Sequence, residues 1–177
     1  MTITIIRHGK VNHTWKKSCT SAEFDEECRL YDIASIENMS CSKTYNVSKV
    51  YISTLDRSYQ TARQLFGERE FAKTDLINEV PLRSAFDTKK KLPLWFWNVT
   101  GRLQWLCNSN RQPETKRQTN ERAKRFVQEL INNAEDCTIV THGFFMHTLI
   151  SEMKRSGFRP DKTSLSYQNG EAIKLYY

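Results

Sequence analysis

Two stretches of this chain end alike. Residues 5–9 read Ile-Ile-Arg-His-Gly and residues 139–143 read Ile-Val-Thr-His-Gly. Each is a β-branched run closing on a histidine and a glycine, the pattern of a buried strand that delivers an imidazole to a tight turn. A histidine so placed can serve as nucleophile, base or hydrogen-bond donor. In a parallel sheet, His8 and His142 would both emerge at carboxyl ends of strands, where open α/β sheets bind ligands. Arg7 stands directly before His8, and a second arginine, Arg57, lies in Ser53-Thr-Leu-Asp-Arg57-Ser-Tyr-Gln-Thr61-Ala, a polar turn entering a helix. Helix starts offer free N–H groups and a positive dipole end, and a guanidinium offers a fork for two anionic oxygens. Gly9 and Gly143 would let backbone approach such an anion closely. Glu79, in Asn78-Glu79-Val80-Pro81, is a carboxylate at the end of a weaker apolar run and could move a proton, with Asp87 as the alternative.

The elements that would hold these groups follow from periodicity. Residues 2–6, 48–53, 137–141 and 171–176 read as strands, and 74–77 as a weaker one. Helical spacing runs through 21–37 (Phe24, Cys28, Tyr31, Ile36), 56–66, 117–134 and 144–156. Residues 38–47, 86–92 and 108–116 read as irregular. Strands alternating with helices predict one three-layer α/β domain with a mostly parallel central sheet flanked by helices. His13 reads as a surface residue, with a place flanking the site as the alternative, His147 as a packing histidine and Arg63 as a helix-surface residue.

Composition narrows the class. A chain of 177 residues with 38% hydrophobic and 11% aromatic content is long enough for one core and too short for two ordinary domains. No apolar run approaches the ~20 residues of a bilayer span, so no stable membrane insertion is expected. The first residues lack a basic n-region and a cleavage site, so a signal peptide is not expected. The 5 cysteines, Cys19, Cys28, Cys41, Cys107 and Cys137, are scattered and form no C-x-x-C pair. Neither a disulfide framework nor a metal site is indicated, and a cytoplasmic location is expected. A net charge of +7 suits either nucleic acid or small anions. No continuous basic helical stripe, zinc finger or RNP signature occurs, so no nucleic-acid partner is expected.

The ordered set Arg7-His8-Gly9, Leu55-x-Arg57-x-x-x-Thr61-Ala62, Glu79 and Thr141-His142-Gly143 resembles the histidine phosphatase superfamily, the phosphoglycerate-mutase-like or RHG family, from residue 3 to about residue 150. The resemblance implies the phosphoglycerate-mutase-like fold over residues 1–177, with 86–116 as a candidate cap or insert. It implies a phosphatase of phosphomonoesters without metal or other cofactor, acting on a phosphorylated small molecule or a phosphoprotein. His8 would become phosphorylated, Arg7 and Arg57 would hold the phosphoryl oxygens beside Gly9 and Gly143, His142 would donate to one of them, and Glu79 would exchange the proton. The chain is short for a mutase of this superfamily, which favours hydrolysis over transfer. A non-catalytic phospho-ligand binder of the same fold and a phosphohistidine-protein phosphatase are the alternatives. The chain departs from the family around these motifs: Lys10 stands where an acidic residue is common, Thr14 where an asparagine is common, and Pro81, Leu82 and Arg83 follow Glu79 in place of glycine and tryptophan.

One stretch is left unassigned by these motifs. Residues 89–107 open on Lys89-Lys90-Lys91 and carry Trp95, Trp97 and Trp105. A helix packed on the core, a cap over the site and a membrane-surface patch are the three readings that this pattern allows.

Overall fold

The computed structural model describes residues 1–39, 49–162 and 166–177. Strand β1 (Thr2–Arg7) is followed by a short strand β2 (Ser18–Cys19) and helix α1 (Ser21–Ile33). Strand β3 (Lys49–Ile52) leads into helix α2 (Asp56–Phe66), short strand β4 (Ala72–Lys73) and a 3-10 turn over Asp75–Ile77. Strand β5 (Leu92–Pro93) runs straight into helix α3 (Leu94–Leu106), and helix α4 (Lys116–Asn133) precedes strand β6 (Cys137–Thr141). Helix α5 (Gly143–Arg155), short strand β7 (Arg159–Pro160) and strand β8 (Ala172–Tyr176) complete the order.

The central sheet runs β4-β3-β6-β1-β8-β7, and β2 pairs with β5 apart from it. Strands β4, β3, β6 and β1 are parallel, whereas β8 is antiparallel to both β1 and β7. Alternation along the strands divides the core. Ile3, Ile5, Ile139 and Leu175 pack with residues of α4 and α5, while Ile6, Val50, Ile52 and Val140 pack with Ala62 of α2. A small third cluster of Cys19, Phe24 and Trp97 joins α1 to α3. There the Phe24 and Trp97 rings stack at 5.8 Å, and the Trp97 indole donates to the Cys19 carbonyl at 3.0 Å.

Two expected elements differ. Residues 74–77 are not a strand: Thr74 caps the 3-10 turn by accepting from the Leu76 N–H, and pairing with β3 stops at Lys73. Helix α1 ends at Ile33, four residues short of the expected 37. Ala34 turns to extended backbone, and Ile36 forms a bridge with Val11 instead of a fourth helical turn. Residues 40–47 of the expected irregular stretch, with Cys41, lie outside the described residues.

The register sets up the site. Arg7 lies beside Thr141 and Ile52 beside Val140, so β1 and β6 end level and β3 stops one residue before them. The next residues, His8, His142 and Ser53, therefore leave the sheet together at its carboxyl edge.

Candidate active site

His8 continues the ladder for one bond, its N–H donating to the Thr141 carbonyl at 2.9 Å. Its ring is then fixed by the Gly9 carbonyl, 2.7 Å from Nδ1. A carbonyl only accepts, so Nδ1 carries the proton and Nε2 carries the lone pair. Burial and the nearby Arg57 and Arg7 charges lower the His8 pKa to about 3, so the imidazole is neutral at physiological pH. The turn is held from below: the Gly9 N–H donates to Thr61 Oγ1 at 2.8 Å, and Thr61 in turn donates to the Arg57 carbonyl at 2.6 Å. The four-residue spacing of Arg57 and Thr61 on one face of α2 thus ties the arginine to the histidine turn. From the far side, Asn169 donates to the His8 carbonyl at 2.9 Å.

The Arg57 guanidinium is fully buried in the first turn of α2. Its Nε donates to His142 Nδ1 at 3.1 Å. With Nδ1 accepting, the His142 proton sits on Nε2, which donates to Ser53 Oγ at 2.7 Å, and Ser53 donates onward to Ser58 Oγ. Burial, then the charge of Arg57, holds the His142 pKa well below that of a free imidazole. The two imidazoles lie 5.0 Å apart, tilted by 53°. Both His142 nitrogens are thus engaged within the protein, Nδ1 by Arg57 and Nε2 by Ser53.

Arg7 reaches past the start of α5. A Cβ on Gly143 would come within 2.8 Å of Arg7 Nε, so the guanidinium occupies the space that glycine leaves. Arg7 Nη1 donates to the Tyr167 carbonyl at 2.7 Å. Arg7 Nε and Arg57 Nη2 are buried N–H groups with no partner among the described residues. Unpaired buried donors are rare, and two of them on cations are groups with which an anion can bond.

A cleft of about 470 Å³ meets this group at Arg57, while His8, Arg7 and His142 lie behind its lining. Its walls include Trp15, Tyr31, Asp32, Glu79, Asn98 and Arg102. Asp32 places Oδ1 2.9 Å from Arg57 Nη1 while keeping half its side chain exposed. Glu79 accepts from the N–H groups of Val80, Phe144 and Phe145, which seats its carboxylate on the N-terminus of α5. Asp87 is elsewhere: it is exposed and makes a bidentate pair with Arg111. Of the two candidate carboxylates the structure brings only Glu79 to the cleft. Residues 94–106 of the candidate cap are α3, which contributes Asn98 and Arg102 to the wall and buries Trp97 and Trp105.

Sequence reasoning missed several contributors. Asp32 had no signal, since its pairing depends on how α1 sits on α2. Ser53 was visible only as the polar residue at a strand end. His13, read as surface, is nearly buried, paired with Glu27 at 3.1 Å and packed edge-on against Trp15 and Tyr31. His147 is exposed and stacks on Tyr167 at 4.1 Å, so it is not a core packing residue. Arg63 is exposed as expected and pairs with Glu68.

A family model described as the histidine phosphatase superfamily (branch 1) matches residues 3–173. No curated protein matches the chain. Among solved structures, the chain is similar to a mycobacterial glucosyl-3-phosphoglycerate phosphatase in complex with VO3, at 14% identity over 99% of this chain and 92% of that one, with a TM-score of 0.62. It is also similar to a phosphoglycerate mutase from Bacillus anthracis, at 16% identity over 99% and 87% of the two chains, with a TM-score of 0.57. A phosphoserine phosphatase from Entamoeba histolytica, in complex with phosphoserine, is 16% identical over 98% and 89%, with a TM-score of 0.53. At these identities the likeness is one of fold.

Proposed function

The chain belongs to the histidine phosphatase superfamily, and on that footing we propose that it hydrolyses phosphomonoesters through a phosphohistidine formed on His8, without a metal. The observation that carries this reading is the pair of unpartnered buried donors, Arg7 Nε and Arg57 Nη2, beside a neutral imidazole. Phosphoryl transfer asks the protein mainly for placement and for charge at the equatorial oxygens, and two fixed guanidinium groups supply both.

In the first step His8 Nε2 attacks phosphorus, and the bond from phosphorus to the ester oxygen breaks. The ring becomes cationic as the new bond forms, and its Nδ1–H points at the Gly9 carbonyl, whose oxygen is placed to stabilise that charge. Glu79, entering this step as the carboxylic acid, gives its proton to the leaving oxygen and is left as the carboxylate. Water then attacks phosphorus, gives its proton back to Glu79, and the P–N bond breaks to release orthophosphate and neutral His8. Backbone N–H groups fix the Glu79 carboxylate at the cleft wall throughout. His142 acts through Arg57, as a positioning residue. The carboxylate of Asp32 lies on Nη1 of Arg57, next to the free Nη2, and its charge opposes an incoming phosphoryl group.

The substrate we infer is a phosphorylated small molecule, because the cleft has the size of a metabolite site and Arg57 lines it. The free thiols of Cys19, Cys28, Cys107 and Cys137 fit a reducing compartment, and we place the protein in the cytoplasm. The test is hydrolysis of an aryl phosphate in the presence of EDTA by wild type and His8→Ala. Turnover by wild type alone supports the reading. Equal turnover by both removes His8 as nucleophile, and phosphate-dependent thermal stabilisation without turnover in wild type would favour a phospho-ligand binder.

A further inference from the structure

We propose that the outer face of α3, together with the lysines before it, docks on an anionic lipid surface. The proposal stands apart from the catalytic reading. Helix α3 (LWFWNVTGRLQWL) has no acidic residue and is apolar around most of its circumference. A helix of that kind is expected to be buried on all sides. This one buries Trp97, Gly101 and Trp105 and leaves a stripe in solvent: Trp95 is 65% exposed, Val99 50%, Leu103 54% and Leu106 45%. Spacings of four, four and three residues align these side chains along one face.

The N-terminal end of the stripe is basic. Lys89, Lys90 and Lys91 are exposed, and Lys17 joins them because its carbonyl accepts the Leu94 N–H at 2.9 Å. None of the four makes an ion pair among the described residues, although Lys91 lies near enough to Glu23 to affect its titration. Cations at the start of a helix oppose its dipole, so these lysines do not serve the stability of α3. From residue 88 to residue 113 the chain carries five basic residues and no acidic one. Of those five, Arg102 turns inward to the Val80 carbonyl and Arg111 pairs with Asp87, which leaves the lysines facing out.

An apolar stripe carrying a tryptophan, flanked by unpaired lysines, matches the boundary between acyl chains and anionic headgroups. A second copy of the chain fits less well, since α3 carries no acidic residue and a two-fold contact through this face would offer the lysines no counter-charge. A nucleic acid would meet the lysines and leave the stripe bare. The helix also links this face to the cleft: Asn98 and Arg102 line both the cleft and the shallow groove formed by Val99, Leu103, Leu106 and Phe144. Docking would therefore set the mouth of the cleft beside the headgroups.

The test is co-sedimentation of the full chain with vesicles of phosphatidylcholine alone and of phosphatidylcholine mixed with phosphatidylserine. Tryptophan emission is read in parallel. Wild type is expected to pellet with the mixed vesicles and to shift its emission to the blue. A Lys89→Gln, Lys90→Gln, Lys91→Gln triple variant is expected to bind them roughly a hundredfold more weakly, as three basic residues near an anionic leaflet require. Leu103→Glu and Trp95→Ala probe the stripe separately, and both are expected to weaken binding and reduce the emission shift. All of these positions are exposed and outside the catalytic machinery, so aryl-phosphate hydrolysis by each variant serves as the folding control. Absence of binding to the mixed vesicles, equal affinity for both kinds, or binding unaffected by the variants would overturn the proposal. So would a dimer in sedimentation velocity that Leu103→Glu dissolves, because the face would then belong to a second copy.

Discussion

A buried imidazole serves phosphoryl transfer only when it is neutral and keeps one nitrogen free of a proton, and His8 meets both conditions through its neighbours. Gly9 fixes the tautomer, and burial with the arginine charges keeps the ring unprotonated. Asp32 then has a testable consequence. Its carboxylate occupies one arm of Arg57, and its negative charge opposes a phosphate arriving at the other. Asp32→Asn is expected to lower the inhibition constant of orthophosphate and the KM for an aryl phosphate about tenfold, about 1.4 kcal/mol of binding. Steady-state kinetics at neutral pH measure both. A lower kcat with unchanged phosphate affinity would make Asp32 a support for Arg57 instead. Gly143 gives a second test, since Gly143→Ala introduces a Cβ where the Arg7 guanidinium lies. The expected result is a loss of kcat/KM of more than tenfold, about 1.4 kcal/mol or more, with the thermal midpoint little changed. These residues differ in how far the sequence announces them. The two x-His-Gly strand ends and the Arg57–Thr61 spacing are local patterns and can be read directly. Asp32 and Ser53 work only through contacts across 25 and 89 residues of chain, which no local pattern records.

Helix α3 separates two tryptophans that look alike in sequence. Trp97 stacks on Phe24, is fully buried and holds the cleft wall to α1, whereas Trp95 two residues earlier stands in solvent. Trp97→Ala is expected to cost about 3–5 kcal/mol in urea unfolding, and Trp95→Ala about 0.5 kcal/mol or less. Similar losses at both positions would contradict the packing described. At this scale the apolar strands and the amphipathic helices α2, α4 and α5 were legible to within a residue or two, because one buried face imposes a period. The failures came where a single polar contact decided. Thr74 capped a turn in a stretch that reads as strand, and the chain left helix at Ala34 so that Ile36 could pair with Val11. Both outcomes depend on what lies opposite in the fold.

For the whole molecule, two neutral buried histidines link stability to pH. His8 is held at about 3 and His142 well below its usual value, while each takes up a proton near 6.5 once unfolded. Between pH 6 and pH 4 the unfolded chain therefore binds more protons than the folded one, and stability falls as pH falls. Each histidine contributes about 1.4 kcal/mol per pH unit in that window. Urea unfolding of wild type at pH 6, 5 and 4 should show this slope, and a His8→Asn, His142→Asn double variant should lose about two histidines' worth of it. An unchanged slope would mean that the histidines are not held neutral in the fold. The net charge of +7 adds repulsion at low pH in both proteins, so the difference between them isolates the histidines.

The covalent step is tested most directly by trapping it. Wild type mixed with an aryl phosphate, quenched in alkali within a turnover and digested for mass spectrometry, is expected to carry one phosphoryl group on the peptide containing His8. The adduct should be stable to alkali, lost in acid and absent from His8→Ala. Steady turnover by wild type with no phosphoryl adduct on any histidine peptide, or an adduct on His142 in place of His8, would contradict the mechanism.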